Sequence, residues 1–208
     1  MSEKETVRAG YNKIANAYLA SRNEDSEDVL MLNELIQRLP SGARVLDAGC
    51  GAGVPITRLL CQFFQVVGAD FAEAQVKLAR KLIPQAQFVC QDITKLGFRE
   101  DTFDAICSYY AIIHIPRKEH KGIIHRFHQL LKPYGWVLLC LGAEDLEEDI
   151  VENYLGARMY WSHYNAETNL RIIRNCGFDT IVSKVITDST SPGSGHLFVL
   201  AQKKHDSH

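Results

Sequence analysis

The chain has 208 residues, 46% of them hydrophobic, which is enough for one sizeable core and within the range of a single domain. Its formal net charge is -2, so no overall positive field exists to gather nucleic acid or an anionic membrane. The charged opening "MSEKETVRAG" is read as lacking a secretory signal, and the longest apolar run, "WVLLCLGA" (136–143), is far shorter than the ~18 to 20 residues of a membrane span.

At the start of the chain, Val7, Tyr11, Ile14, Ala15, Tyr18 and Leu19 recur at three- and four-residue intervals, which predicts an amphipathic helix. A second helix is expected over about 27–39, ending at Pro40 and Gly42, so that about 3–40 form a helical cap. The period then changes. "ARVLDAG" (43–49), "QVVGAD" (65–70), "AQFVCQD" (86–92), "TFDAICSY" (102–109) and "GWVLLCLG" (135–142) read as short buried strands, with "PITRLLCQF", "EAQVKLARKLI" and "RKEHKGIIHRFHQLL" as the helices between them. "EDLEEDI" (144–150) is expected to be a solvated helix face. Asn165 caps a helix running to Cys176, with Gly177 as its stop.

"TIVSKVIT" and "HLFVLAQK" are then two strands joined by "DSTSPGSG", too short a link for a crossover helix, so they pair antiparallel. The expectation is one α/β domain over 1–208. It is a doubly wound, Rossmann-like, three-layer αβα core over about 41–203, with a seven-stranded sheet that is parallel except for one late strand, and a disordered tail at 204–208. The six cysteines, Cys50, Cys61, Cys90, Cys107, Cys140 and Cys176, are scattered without a C-x-x-C pair. Reduced thiols and a cytoplasmic protein follow, with no zinc site and no other metal.

The chemistry begins at "LDAGCGAG" (46–53), where Gly49, Gly51 and Gly53 allow a tight strand-to-helix turn and a close ligand. A dinucleotide fingerprint would place glycine where the chain has Val54, which disfavours a nicotinamide oxidoreductase. Asp47 ends the first strand as a carboxylate able to face a cation. Asp70 ends the second, where an acid accepts from both ribose hydroxyls, with Phe71 beside it for a flat base. Asp92 ends the third, with the Ile93 backbone next to it. A nucleoside carrying an amino acid would use all of these, whereas ordinary solvated strand ends would use none.

"VLDAGCGAG", "VVGADFAEAQVKLAR", "FVCQDITKLGF", "FDAICSYYAIIHIP" and "LLKPYGWVLL", in this order and spacing, resemble the successive motifs of class I S-adenosylmethionine-dependent methyltransferases across roughly residues 5–203. The resemblance implies strand order 3-2-1-4-5-7-6 and S-adenosylmethionine as cofactor, left as S-adenosylhomocysteine. It further implies that Gly49 and Gly51, with Cys50 between them, hold the methionine portion and that Asp47 lies near its ammonium. Asp70, Phe71 and Gln75 surround the ribose and base, Asp92 and Ile93 the adenine, and Ser108 and Tyr109 approach the sulfonium. "YNKIANAYLASR" is similar to an N-terminal helix that closes over the cofactor, making Tyr11, Tyr18 and Arg22 lid residues or, equally, ordinary packing. Tyr134 departs from the family's Lys-Pro-Gly-Gly turn.

The aromatic run "GARMYWSHYNAET" (156–168) follows the fifth strand, where family members bind the methyl acceptor. Met159, Tyr160, Trp161 and His163 are therefore candidates for a substrate pocket with Tyr11 and Tyr110, the alternative being core. His163, His114 and Tyr110 are the candidates for catalysis, with His114 otherwise fixing its loop. The sequence reads as a methyltransferase for a small-molecule acceptor, with neither nucleic acid nor membrane as partner. A catalytically silent cofactor-binding sensor is the alternative.

Overall fold

The computed structural model describes residues 2–187 and 195–204. The strands in chain order are β1 (Arg44–Ala48), β2 (Gln65–Asp70), β3 (Gln87–Cys90), β4 (Phe103–Ser108), β5 (Leu131–Gly142), β6 (Leu146–Tyr154), β7 (Ala157–His163), β8 (Phe178–Thr187) and β9 (Gly195–Lys203). The helices are α1 (Glu3–Ser21), α2 (Glu27–Leu30), α3 (Leu32–Ile36), α4 (Ile56–Leu60), α5 (Glu73–Leu82), α6 (His120–Leu130) and α7 (Ala166–Asn175). All strands but β6 and β7 form one seven-stranded sheet of order β3-β2-β1-β4-β5-β9-β8. Strands β1 to β5 are parallel, and β9 is antiparallel to both β5 and β8. This is the expected 3-2-1-4-5-7-6 order once β6 and β7 are set aside.

Alternation along each strand makes the layers. From β1, Leu46 and Ala48 join a core shared with Ile123, Ile124 and Phe127 of α6 and Ile173 of α7. Val45, on the opposite face, joins Leu32 and Leu35 of α3 and Ile56 and Leu60 of α4. Helix α1 starts with a capping box, in which the Ser2 hydroxyl accepts from the Glu5 amide and the Glu5 carboxylate accepts from the Ser2 amide. Its Gly10 lies so close to Met159 of β7 that an added Cβ would stand 2.3 Å from the sulfur.

Two expectations are corrected. The second predicted helix is two short ones meeting at Met31, and Tyr109 and Tyr110 hydrogen-bond to Asp28 in the first of them. The segment 144–150 is not a helix face. From Leu146 onward it is strand β6, antiparallel to β7 in a separate two-stranded sheet. Cross-strand pairs such as Ile150 with Tyr160 and Val151 with Met159 favour strand over helix. The two-residue turn Leu155–Gly156, both residues at positive φ (52° and 97°), closes the hairpin.

The Tyr134 departure has a local cost, since its φ of 62° lies where glycine is preferred. Lys204 donates its amide to Gly177, while the rest of the predicted tail and residues 188–194 of the predicted connector lie outside the described residues. No helix among the described residues is long and apolar enough to cross a membrane.

Candidate active site

The C-terminal ends of the parallel strands meet at the glycine turn. Gly49 and Gly51 adopt φ of 81° and 53°, the left-handed region. A Cβ on Gly49 would stand 2.2 Å from the Ala111 Cβ, so only glycine lets this turn approach the chain leaving β4. The Gly51 amide donates to Asp70 Oδ2 at 2.9 Å, and the Ala72 amide donates to Asp70 Oδ1, also at 2.9 Å. Burial pushes the Asp70 carboxyl up to about 6, against these amides, which favour the charged form.

Above the turn lies a narrow, mostly apolar cleft. Its floor is Gly49, Gly51, Asp70, Phe71, Asp92, Ile93, Tyr109, Tyr110, Ala111, His114 and Ile115. Its roof is one face of α1, formed by Lys4, Val7, Tyr11 and Tyr18. At the Asp92 end, Oδ1 accepts from the Thr94 amide and hydroxyl, each at 2.8 Å, and Lys4 Nζ stands 3.7 Å from Oδ2. Lys4 also reaches Glu119 at 2.9 Å. Farther along α1, Arg8 pairs with Glu73, and Asn12 Oδ1 accepts from the Ala74 amide at 2.9 Å.

At the other end, His114 Nδ1 lies 2.8 Å from the Tyr160 carbonyl and Nε2 lies 2.9 Å from the Tyr11 hydroxyl. A carbonyl only accepts, so the proton is assigned to Nδ1, and Nε2 accepts from Tyr11. Burial pushes the imidazole down to about 4 and raises the Tyr11 phenol, so both are neutral near pH 7.

Several sequence candidates do not line this cleft. Asp47 is buried beneath the turn, where the Thr57 hydroxyl donates to it at 2.5 Å and burial pushes it up to about 7. Cys50 turns toward Phe88 and the α5 side, and the Ser108 hydroxyl ties β4 to the Ala48 carbonyl of β1 at 2.8 Å. Arg22 lies over the Tyr110 ring, 4.8 Å from its centroid.

The aromatic run packs against α1 and behind His114 and is not among the residues that line this cleft. Met159 is fully buried against α1, Tyr160 is buried and offers its carbonyl to His114, and Trp161 lies tilted against His114, 5.0 Å between ring centroids. His163 lies against Gly142, with Nδ1 donating to the Glu144 carbonyl at 2.8 Å, and is not among the residues that line the cleft. The run therefore backs the imidazole. Tyr110 does line the cleft, but its hydroxyl donates to Asp28 Oδ2 at 3.1 Å. Sequence reasoning missed Lys4 and Asp28. Lys4 sits one helical turn before Val7 and two before Tyr11 on the same face, a readable signal, whereas nothing local marks Asp28.

The cleft fits an adenosyl amino acid on independent observations. Asp70 carries two oriented carboxylate oxygens at a strand end, and the turn leaves room that a Cβ on Gly49 would fill. Gln75, fully buried, has no hydrogen-bond partner for either atom of its amide and approaches Gly51. A buried amide without partners is costly unless a ligand satisfies it.

The sheet order, the glycine turn and the acids at the ends of β2 and β3 define a class I methyltransferase fold. Residues 45–135 match the family model described as a methyltransferase domain. The chain is 38% identical over 139 residues to a trans-aconitate 2-methyltransferase of Variovorax paradoxus, covering 64% of this chain and 51% of that protein. It is 29% identical over 164 residues to a sterol 24-C-methyltransferase of Saccharomyces cerevisiae, covering 71% of this chain and 42% of that protein. The chain thus spans about half the length of these relatives or less. The fold superimposes on a 1,6-didemethyltoxoflavin-N1-methyltransferase of Burkholderia thailandensis, with a TM-score of 0.74, 19% identity, and coverage of 99% of this chain and 92% of that one. That structure holds S-adenosylhomocysteine.

Proposed function

We propose that the protein transfers the methyl group of S-adenosylmethionine to a small-molecule acceptor in the cytoplasm. The carrying observation is that one cleft runs from the Asp70 and Asp92 carboxylates to the Tyr11–His114 pair beneath α1. Trans-aconitate, a sterol and 1,6-didemethyltoxoflavin, named for the relatives above, are all small molecules, and the enclosed aromatic end of the cleft suits such an acceptor. All six cysteines are free thiols, as a reducing compartment keeps them.

When bound, the cofactor supplies an activated methyl on sulfur. Asp70 would hold the ribose hydroxyls, the unpartnered amide of Gln75 beside Gly51 would meet the neighbouring polar atoms, and Asp92 with Ile93 would hold the base. Tyr11 and His114 manage the proton. An acceptor carrying O–H or N–H gives its proton to Tyr11 Oη as the phenol proton passes to His114 Nε2, while the Nδ1 bond to Tyr160 keeps the ring oriented. The depressed basicity of His114 makes the pair effective only toward an acceptor already forming its new bond. Alignment within the closed cleft provides the remaining acceleration.

The test is a screen of carboxylic acids, phenols, alcohols and amines for acceptor-dependent formation of S-adenosylhomocysteine, repeated with Tyr11→Phe and His114→Asn. Turnover with one acceptor that falls by roughly 100-fold in both variants, with product binding retained, supports the reading. Acceptor-independent background throughout, or variants as active as the parent, overturns it.

A further inference from the structure

We propose that Asp28 is a positioning residue that lets a cationic cofactor end lie near Arg22, so that the cleft favours the sulfonium of S-adenosylmethionine over the neutral sulfur of S-adenosylhomocysteine. The inference rests on the cofactor reading above and extends it to ligand discrimination.

Asp28 lies in α2, 6% exposed, and gathers three partners. Its Oδ2 accepts from the Tyr110 hydroxyl at 3.1 Å and from Arg22 Nη2 at 3.4 Å, and its backbone carbonyl accepts from the Tyr109 hydroxyl at 3.0 Å. The Arg22 side chain is only 17% exposed, and Asp28 is the carboxylate it pairs with. Tyr110 is held at φ 51°, in the left-handed region, with Arg22 above its ring and His196 at its edge. A non-glycine residue kept there by converging contacts is typical of a functional wall.

The electrostatic consequence follows from burial. Arg22 covers Tyr110, and Tyr109 and Tyr110 both line the cleft, Tyr109 being the residue that the family resemblance sets toward the sulfonium. A buried guanidinium without its counter-charge would repel a sulfonium through a weakly screening medium. Asp28 cancels that charge and leaves the aromatic rings to favour the cation. The same bonds commit both phenol protons to Asp28.

Calorimetric titration of the full chain with S-adenosylmethionine and S-adenosylhomocysteine tests this through the ratio of the two dissociation constants, a readout independent of turnover. Asp28→Asn should weaken S-adenosylmethionine relative to S-adenosylhomocysteine by roughly tenfold, and Arg22→Gln should move the ratio the other way. The double variant should return it to within about twofold of the parent, because the charges are again balanced. Tyr110→Phe, which removes a hydroxyl and no charge, should leave the ratio unchanged and serves as the variant least prone to misfold. Equal weakening of both ligands in Asp28→Asn, or no cancellation in the double variant, overturns the inference. Parent protein that binds neither ligand overturns the cofactor reading and this inference with it.

Discussion

The floor and the roof of the cleft are built by different means. On the floor, backbone amides of Gly51 and Ala72 orient Asp70, and residues close in sequence make the turn that forbids a side chain at Gly49. On the roof, α1 is attached by long-range side-chain contacts: Lys4 to Glu119, Arg8 to Glu73, Asn12 to the Ala74 amide, and Gly10 against Met159. A backbone-built floor keeps its geometry whether or not the ligand is present. A roof held by partly exposed ion pairs, each worth about 1 kcal/mol or less, can open.

The sharpest way to break this contrast is Gly49→Ala. Positive φ and a 2.2 Å approach to a backbone-borne Cβ leave no cheap adjustment. The variant should lose cofactor binding in titration and melt as if destabilised by about 2–4 kcal/mol.

Acid should act next most strongly, and on the floor. Asp70 is held at about 6, above the ordinary carboxylate range, so its contribution to stability of the free protein is complete at low pH and lost as pH rises through that value. The ligand's ribose hydroxyls favour the ionised form, so affinity should run the opposite way. S-adenosylhomocysteine affinity should fall by up to about tenfold per pH unit below about 6, and Asp70→Asn should flatten the profile.

Two milder changes address the roof. Gly10→Ala forces a Cβ against the end of the flexible Met159 side chain, and thermal unfolding should report a loss of about 1–3 kcal/mol. Lys4→Ala should weaken S-adenosylhomocysteine by less than about fivefold, an effect that fades in high salt because the pair is part-exposed.

The same contrast explains what the sequence disclosed. The glycine turn, Asp70, Asp92 and the sheet order were legible because short spacings and strand-end positions encode them directly. The hairpin was not, since "EDLEEDI" alone carries no clear period and its strand character comes from Met159, Tyr160 and Trp161 across the ladder. Gly156 between two β-forming runs was the signal to follow. His114 was legible as a polar residue after β4, but its pairing with Tyr11, 103 positions earlier, depends on the roof being in place. Asp28 carries no local signal, because its burial by tyrosines from β4's exit is a tertiary property.

The central claim, one adenosyl amino acid site spanning Asp70 and Asp92, is tested most directly by calorimetric titration of the parent protein and Asp70→Ala with S-adenosylmethionine, S-adenosylhomocysteine and NAD. The account predicts saturable binding of the first two, lost or weakened by roughly 100-fold in the variant, and no binding of NAD. Binding of NAD in their place, or equal binding of S-adenosylhomocysteine by both proteins, would contradict it.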